Sequence, residues 1–183
     1  QEGGTDLLGT VKLGADAKRK AVDVDDEDSF LVKFKSGAVG SIEATRNAWG
    51  RNNFITVELH GTLGSLYFNY ERLNELQVCL AGDPRRGFKT IYTGPAHFHG
   101  EVTWNIPGMN IGYGELKSIE SYEFIKAVVE GRQPSTSFAE GYRVERVCDA
   151  VKRSAETGCC AAAETARNDT VKAMIPFFIS PVI

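Results

Sequence analysis

Two short stretches of the sequence concentrate residues whose types and spacing could do chemistry. The first is His97-Phe98-His99-Gly100-Glu101. In an extended segment the two imidazoles point the same way, and with Glu101 they offer donors of the kind that hold a divalent metal. The same imidazoles can donate to and accept from the hydroxyls of a polar small molecule. An exposed loop that carries two histidines for neither purpose is a third reading, and the spacing is compatible with all three. The second stretch is Arg46-Asn47-Ala48-Trp49-Gly50-Arg51-Asn52-Asn53. Guanidinium, carboxamide and indole groups at the rim of a sheet can grip hydroxyls or a carboxylate, and an ordinary polar hairpin loop has the same composition. His60 ends a strand pattern on its polar side and reads as structural.

The elements that must position these groups follow from periodicity. Phe30, Val32 and Phe34 alternate with Leu31, Lys33 and Lys35; Ser36-Gly37 signals a turn; and 38–46 continues with Ile42 and Ala44 on one side, which predicts a β-hairpin. Period two recurs over 53–60, 65–70 and 75–81, and 88–93 reads as one more strand. About six short strands, each with one apolar side, belong to a mostly antiparallel sheet covered on one face. Then Leu116, Ile119, Tyr122, Ile125, Val128 and Val129 fall at helical spacing over 115–130, ahead of Gly131. Ser137 and Glu140 have the spacing of a capping box, opening a second helix that stops at Gly158. The expected architecture is α+β, an open-faced antiparallel sheet with helices packed on one face. Residues 159–170 are alanine-rich and suggest helix, and the apolar tail beyond them has no predicted place.

Composition narrows the function classes. The chain has 183 residues, enough for one domain, with 42% hydrophobic and 25% charged residues, which excludes disordered and collagen-like classes. Twenty-one basic residues against 24 acidic ones leave a net charge of −3, the wrong balance for a surface that tracks a phosphodiester backbone. The longest apolar stretch, Ala173 to Ile183, has 11 residues and two prolines, whereas a membrane span needs about 20. Cys79, Cys148, Cys159 and Cys160 show no C-x-x-C or zinc spacing, consistent with free thiols and a cytoplasmic setting; the first and second fall on a strand and a helix, where buried thiols are common. The sequence starts without Met, as expected of a fragment or a processed chain. No G-x-G-x-x-G follows a strand, and there is no P-loop, nucleophile elbow or H-E-x-x-H.

Read in order, the segments resemble one known domain. Val24-Asp25-Asp26-Glu27-Asp28 leads into Phe30-Leu31-Val32-Lys33-Phe34-Lys35-Ser36-Gly37-Ala38-Val39-Gly40-Ser41-Ile42. Glu43-Ala44-Thr45-Arg46 and Val57-Glu58-Leu59-His60-Gly61-Thr62-Leu63-Gly64-Ser65-Leu66 follow, then Ile111-Gly112-Tyr113, Glu123-Phe124 and Ser154-Ala155-Glu156-Thr157-Gly158. The set is similar to the C-terminal domain of the Gfo/Idh/MocA oxidoreductases, the family of glucose-fructose oxidoreductase and inositol dehydrogenases. The likeness runs from about 24 to 158.

That resemblance implies an NAD(P)-dependent dehydrogenase acting on a sugar, polyol or related hydroxy or keto compound. Residues 1–183 would form its substrate-binding and oligomerisation domain, with a core of about 22–158 and a tail of 159–183. A Rossmann domain before Gln1 would hold most of the NAD or NADP and supply an E-K-P lysine for proton transfer, so no catalytic residue is expected in this chain and its isolated form should be inactive. Strand-end loops would line the substrate pocket, and Arg46, Trp49, Arg51, His97, His99, Asn110 and Tyr113 are the implied substrate-binding residues. Some relatives carry His near the positions of Met109 and Glu115, which points to a different substrate here. The open sheet face, carrying Leu31, Lys33, Lys35, Glu43, Thr45, Tyr67, Asn69, Gln77 and Cys79, is the expected homo-oligomer interface. The competing reading is a non-catalytic carbohydrate-binding or scaffold module. No metal, nucleic acid or membrane partner is expected.

Overall fold

Alternating side chains and glycine turns produce two four-stranded antiparallel sheets and a separate two-stranded ladder. In the computed structural model the described residues are Ala21, 24–97, 99–100 and 108–163, together with the strand backbones of Thr5–Asp6, Gly9–Thr10 and Val171–Met174. β1 (Thr5–Asp6) and β2 (Gly9–Thr10) form a two-residue ladder. β3 (Glu27–Phe34) and β4 (Val39–Thr45) make the expected hairpin, with Gly37 at φ 92°, in the left-handed region that a side chain disfavours. β5 (Thr56–Gly61), β6 (Gly64–Asn69), β7 (Glu75–Leu80) and β8 (Lys89–Tyr92) form a meander, each strand paired with the next. A 3-10 turn, Tyr70–Arg72, joins β6 to β7.

Helix α1 spans Tyr113–Val129 and helix α2 spans Phe138–Thr157, ending at Gly158 with φ 65°. Two further strands, β9 (Ala161–Ala163) and β10 (Val171–Met174), complete the first sheet in the order β4-β3-β10-β9. Val171 pairs with Phe34 on one side and Ala163 on the other. The fold is α+β, and its antiparallel strands from β3 onward divide between two four-stranded sheets, where the sequence suggested one continuous meander. Residues 161–163 are strand, against the helix suggested by their alanines, because β10 supplies a ladder that outweighs a weak helical preference.

The buried core is small and draws on both helices and on β3 and β9. Helix α2 packs on β9 and β10. Val32, Ala127, Ala150 and Ala163 are the buried apolar side chains among the described residues, and Ser154 is fully enclosed, its hydroxyl donating to the Cys159 carbonyl at 2.7 Å. α1 buries Ala127 alone and leaves Phe124, Ile125, Val128 and Val129 exposed. The capping box at α2 does not form: Ser137 is extended and makes no side-chain cap bond, and Glu140 pairs instead with Arg143 one turn along. All four cysteines are free, with Cys79 half-buried and Cys148 exposed, so the expected burial fails at Cys148 because it lies on the outer side of α2.

Candidate functional site

The connection between β6 and β7 is longer than a tight hairpin needs, and its polar residues organise the most chemically varied cleft. Asn69, extended, caps the 3-10 turn by accepting the Glu71 N–H at 2.9 Å. That turn aims the Glu71 carboxylate at the β4–β5 loop, where it accepts from the Asn52 N–H at 3.0 Å and from Arg51 Nη1 at 3.5 Å. The Arg51 guanidinium also lies 3.8 Å over the Phe54 ring, a cation–π contact. Arg72 forks onto Glu75, both bonds 2.9 Å, and its pKa is raised first by that hydrogen bond.

The opposite wall is the approach to α1. The Glu115 carboxylate accepts the Gly112 N–H at 2.7 Å and closes the first turn of the helix. This bond holds the Glu115 carboxyl below the usual carboxylate range. Asn74 binds the Ile111 peptide, so 110–113 stand at the rim. The cleft between these walls measures about 620 Å³ and is lined by 53, 70–75 and 110–113. Its polar groups are carboxamides, carboxylates, one guanidinium and the Tyr70 and Tyr113 rings. Such a mixture suits a ligand rich in hydroxyls, with ring faces for its C–H surfaces.

The seven residues singled out from the sequence divide between several places. Asn110 and Tyr113 line the cleft, and Arg51 is fastened to its wall through Glu71. Arg46 pairs with Asp26 at 3.9 Å beside the β3–β4 hairpin. Trp49 is 100% exposed at the tip of the β4–β5 loop. His97 is exposed in a tight turn, its N–H donating to the Gly94 carbonyl at 3.0 Å. His99 adopts φ 65°, rare for a side-chain-bearing residue, and its Nδ1 lies 3.8 Å from the Glu123 carboxylate. Glu123 is ten residues along α1 from Tyr113, about 15 Å by helical rise. Glu123 also meets Arg132 at 3.3 Å, and with Glu130 it raises the Arg132 pKa, the Glu130 hydrogen bond contributing most. His99 therefore belongs to a different neighbourhood from Asn110 and Tyr113, and His97, four residues beyond Thr93 with its backbone bonded to Gly94 and Gly100, is not among the residues that line the cleft.

Glu101, the third member of the histidine cluster, lies outside the described residues. Among the described residues no three His, Cys, Asp or Glu side chains converge as metal ligands, and no helix is long and apolar enough to cross a membrane. Glu71 and Asn74 were missed in the sequence, although the run Asn69-Tyr70-Glu71-Arg72-Leu73-Asn74 is conspicuous: five of its six residues are polar or aromatic, at a connection that two residues could make.

Comparison with known proteins agrees with this architecture. Residues 8–67 match the model of the GFO/IDH/MocA C-terminal domain. Over 157 residues the chain is 57% identical to levoglucosan dehydrogenase of Pseudarthrobacter phenanthrenivorans, a match covering 85% of this chain and 40% of that enzyme. A solved levoglucosan dehydrogenase in complex with NADH and levoglucosan superposes with a TM-score of 0.73 at 57% identity, over 76% of this chain and 38% of that one. An NAD binding oxidoreductase from Klebsiella pneumoniae superposes at 0.72 with 32% identity, over 88% of this chain and 41% of that one. The chain thus spans about 40% of the length of the curated relative it matches. With the ordered motifs, the antiparallel sheets and two helices, and the matches to relatives in agreement, this chain belongs to the GFO/IDH/MocA family and carries its C-terminal domain.

Proposed function

We propose that this chain is the sugar-binding half of an NAD-dependent dehydrogenase whose substrate is levoglucosan or a closely similar sugar. The observation that carries the reading is the cleft of Asn53, Glu71, Asn110 and Tyr113, on a chain 57% identical to levoglucosan dehydrogenase. The cleft's donors and acceptors match a ring of hydroxyls and contain no surplus of positive charge for a phosphate. NAD is the cofactor of the proposal because a relative's structure holds NADH. The sequence has no glycine fingerprint to cradle a pyrophosphate, so a preceding dinucleotide-binding domain is the partner assigned to hold it.

Nicotinamide supplies the hydride acceptor for a secondary carbinol, which becomes a carbonyl as its hydroxyl proton leaves to a base outside this chain. Asn110 and Tyr113 hold the non-reacting hydroxyls and ring face, so that the reacting carbon stays in one orientation; fixed orientation is where a binding domain lowers the barrier. Arg51, held by Glu71, borders the same ligand. Arg46, Trp49, His97 and His99 stay candidates for the wider rim, reached only if the preceding domain extends the cleft toward them. Assembly into a homo-oligomer through an open sheet face is part of the proposal, narrowed to β5–β8, none of whose residues is fully buried: of the residues expected on that face, Tyr67, Asn69, Gln77 and Cys79 lie there, whereas Leu31, Lys33, Glu43 and Thr45 lie on the other sheet.

The test is NADH formation from levoglucosan by the full-length protein, with nicotinamide binding to the isolated domain followed by calorimetry. Turnover by the full-length protein and silence from the domain are expected. N110A and Y113F should each raise the sugar KM about ten-fold while leaving the NAD KM unchanged. Sugar binding without turnover in the full-length protein would return the chain to a carbohydrate-binding module. A 20 kDa species in concentrated sedimentation runs of the domain would remove the oligomer.

A further inference from the structure

Asn74 makes an unusual use of one carboxamide. Its Nδ2 donates to the Ile111 carbonyl at 2.9 Å, while its Oδ1 accepts from the Ile111 N–H at 2.9 Å and from the Thr93 hydroxyl at 2.8 Å. Its backbone carbonyl accepts the Thr93 N–H at 3.0 Å. One side chain therefore does for a single residue what a neighbouring strand does in a sheet: it satisfies both the N–H and the C=O of Ile111. The next peptide is fixed separately, because the Gly112 N–H donates to Glu115 at 2.7 Å. Asn110 and Tyr113 flank these two residues and line the cleft. The 3-10 turn, the end of β8 and the start of α1 meet at Asn74, which is half-buried.

We propose that Asn74 is the positioning residue for the sugar pocket, setting the directions of Asn110 and Tyr113 by clamping Ile111 between them. The proposal rests on reading this cleft as the sugar site. Only a carboxamide can fill the role. Leucine has its shape and none of its bonds. Aspartate keeps both acceptor contacts but turns a negative oxygen toward the Ile111 carbonyl, and recovers a donor only when protonated.

The test is steady-state kinetics of the full-length enzyme with levoglucosan and NAD. N74D should raise the sugar KM about ten-fold at about pH 8 with the NAD KM within about two-fold of the parent's. Relative to the parent, that defect should shrink as pH falls to about 4, where an aspartate of ordinary pKa is about half protonated. N74L should show it at every pH. A parental sugar KM in N74D, a rise shared equally by both substrates, or a defect unchanged at low pH would overturn the proposal. Should N74D fail to fold, T93V decides: it removes only the hydroxyl that steadies Asn74, and a rise of about three-fold in sugar KM is expected, while no rise overturns the proposal. N110A and Y113F separate the two levels. If they leave the sugar KM unchanged, the cleft reading itself falls; if they raise it and N74D does not, only the role of Asn74 falls.

Discussion

The two four-stranded sheets are built from similar alternating sequence but have different environments. β4-β3-β10-β9 lies against α2 and contains the buried Val32 and Ala163. β5-β6-β7-β8 contains no fully buried residue, and Val57 and Leu59 are about half exposed. The first sheet derives its stability from tertiary burial. The second relies on its ladder hydrogen bonds, its glycine turns and the clamps around 70–75. A surface left open in this way is available to a ligand, a second domain or a second copy, which is why the cleft lies at the end of the open sheet and not beneath α2.

The largest expected effect strikes the open sheet through its backbone. Gly64 sits at φ 149°, and a Cβ there would overlap the Cys79 carbonyl. G64A should cost about 3 kcal/mol in denaturant unfolding; a loss below about 1 kcal/mol would mean that the β6–β7 edge opens at little cost. Side-chain truncation should divide the sheets in the other direction. V32A, at a site 3% exposed, should cost about 2 kcal/mol, and V57A, at a site 48% exposed, about 0.5 kcal/mol. Equal losses would erase the contrast between them. S154A should cost about 1 kcal/mol by leaving the Cys159 carbonyl without its donor, and no change would show that water replaces the hydroxyl.

The smallest effect is a titration at the cleft. The Gly112 N–H holds the Glu115 pKa below its ordinary value. Because the folded value is the lowered one, this contribution is present above the unfolded carboxyl pKa of about 4.3 and lost as pH falls through the folded value. The Gly112 amide proton resonance should therefore move in acid in the parent, below the ordinary carboxyl range, and stay flat in E115Q. Identical profiles in the two proteins would show that Glu115 does not cap α1.

How far the sequence could be read depended on the range of the interaction. Alternation over 30–34, 53–60 and 75–81 located β3, β5 and β7 because their side chains sample two faces at period two whatever their partners. Ala161–Ala163 misled, since three alanines say little about strand or helix until β10 lies beside them. Ser137 and Glu140 had the right spacing for a capping box, yet Arg143 on the next turn took the carboxylate. Within the site, Asn110 and Tyr113 came from family likeness, while Asn74 was missed because its partner Ile111 is 37 positions away and is held through backbone atoms that carry no residue signature.

By itself, then, the sequence determined the strands β3 to β8, both helices, the turns at Gly37 and Gly158, and the family, because each depends on local geometry or on an ordered set of short motifs. Tertiary structure alone decided that the strands split into two sheets, that α2 covers one of them, and that the 3-10 turn faces the start of α1. Those outcomes depend on hydrogen bonds and packing between residues distant in the chain, and a side chain's type does not state which distant peptide it will meet.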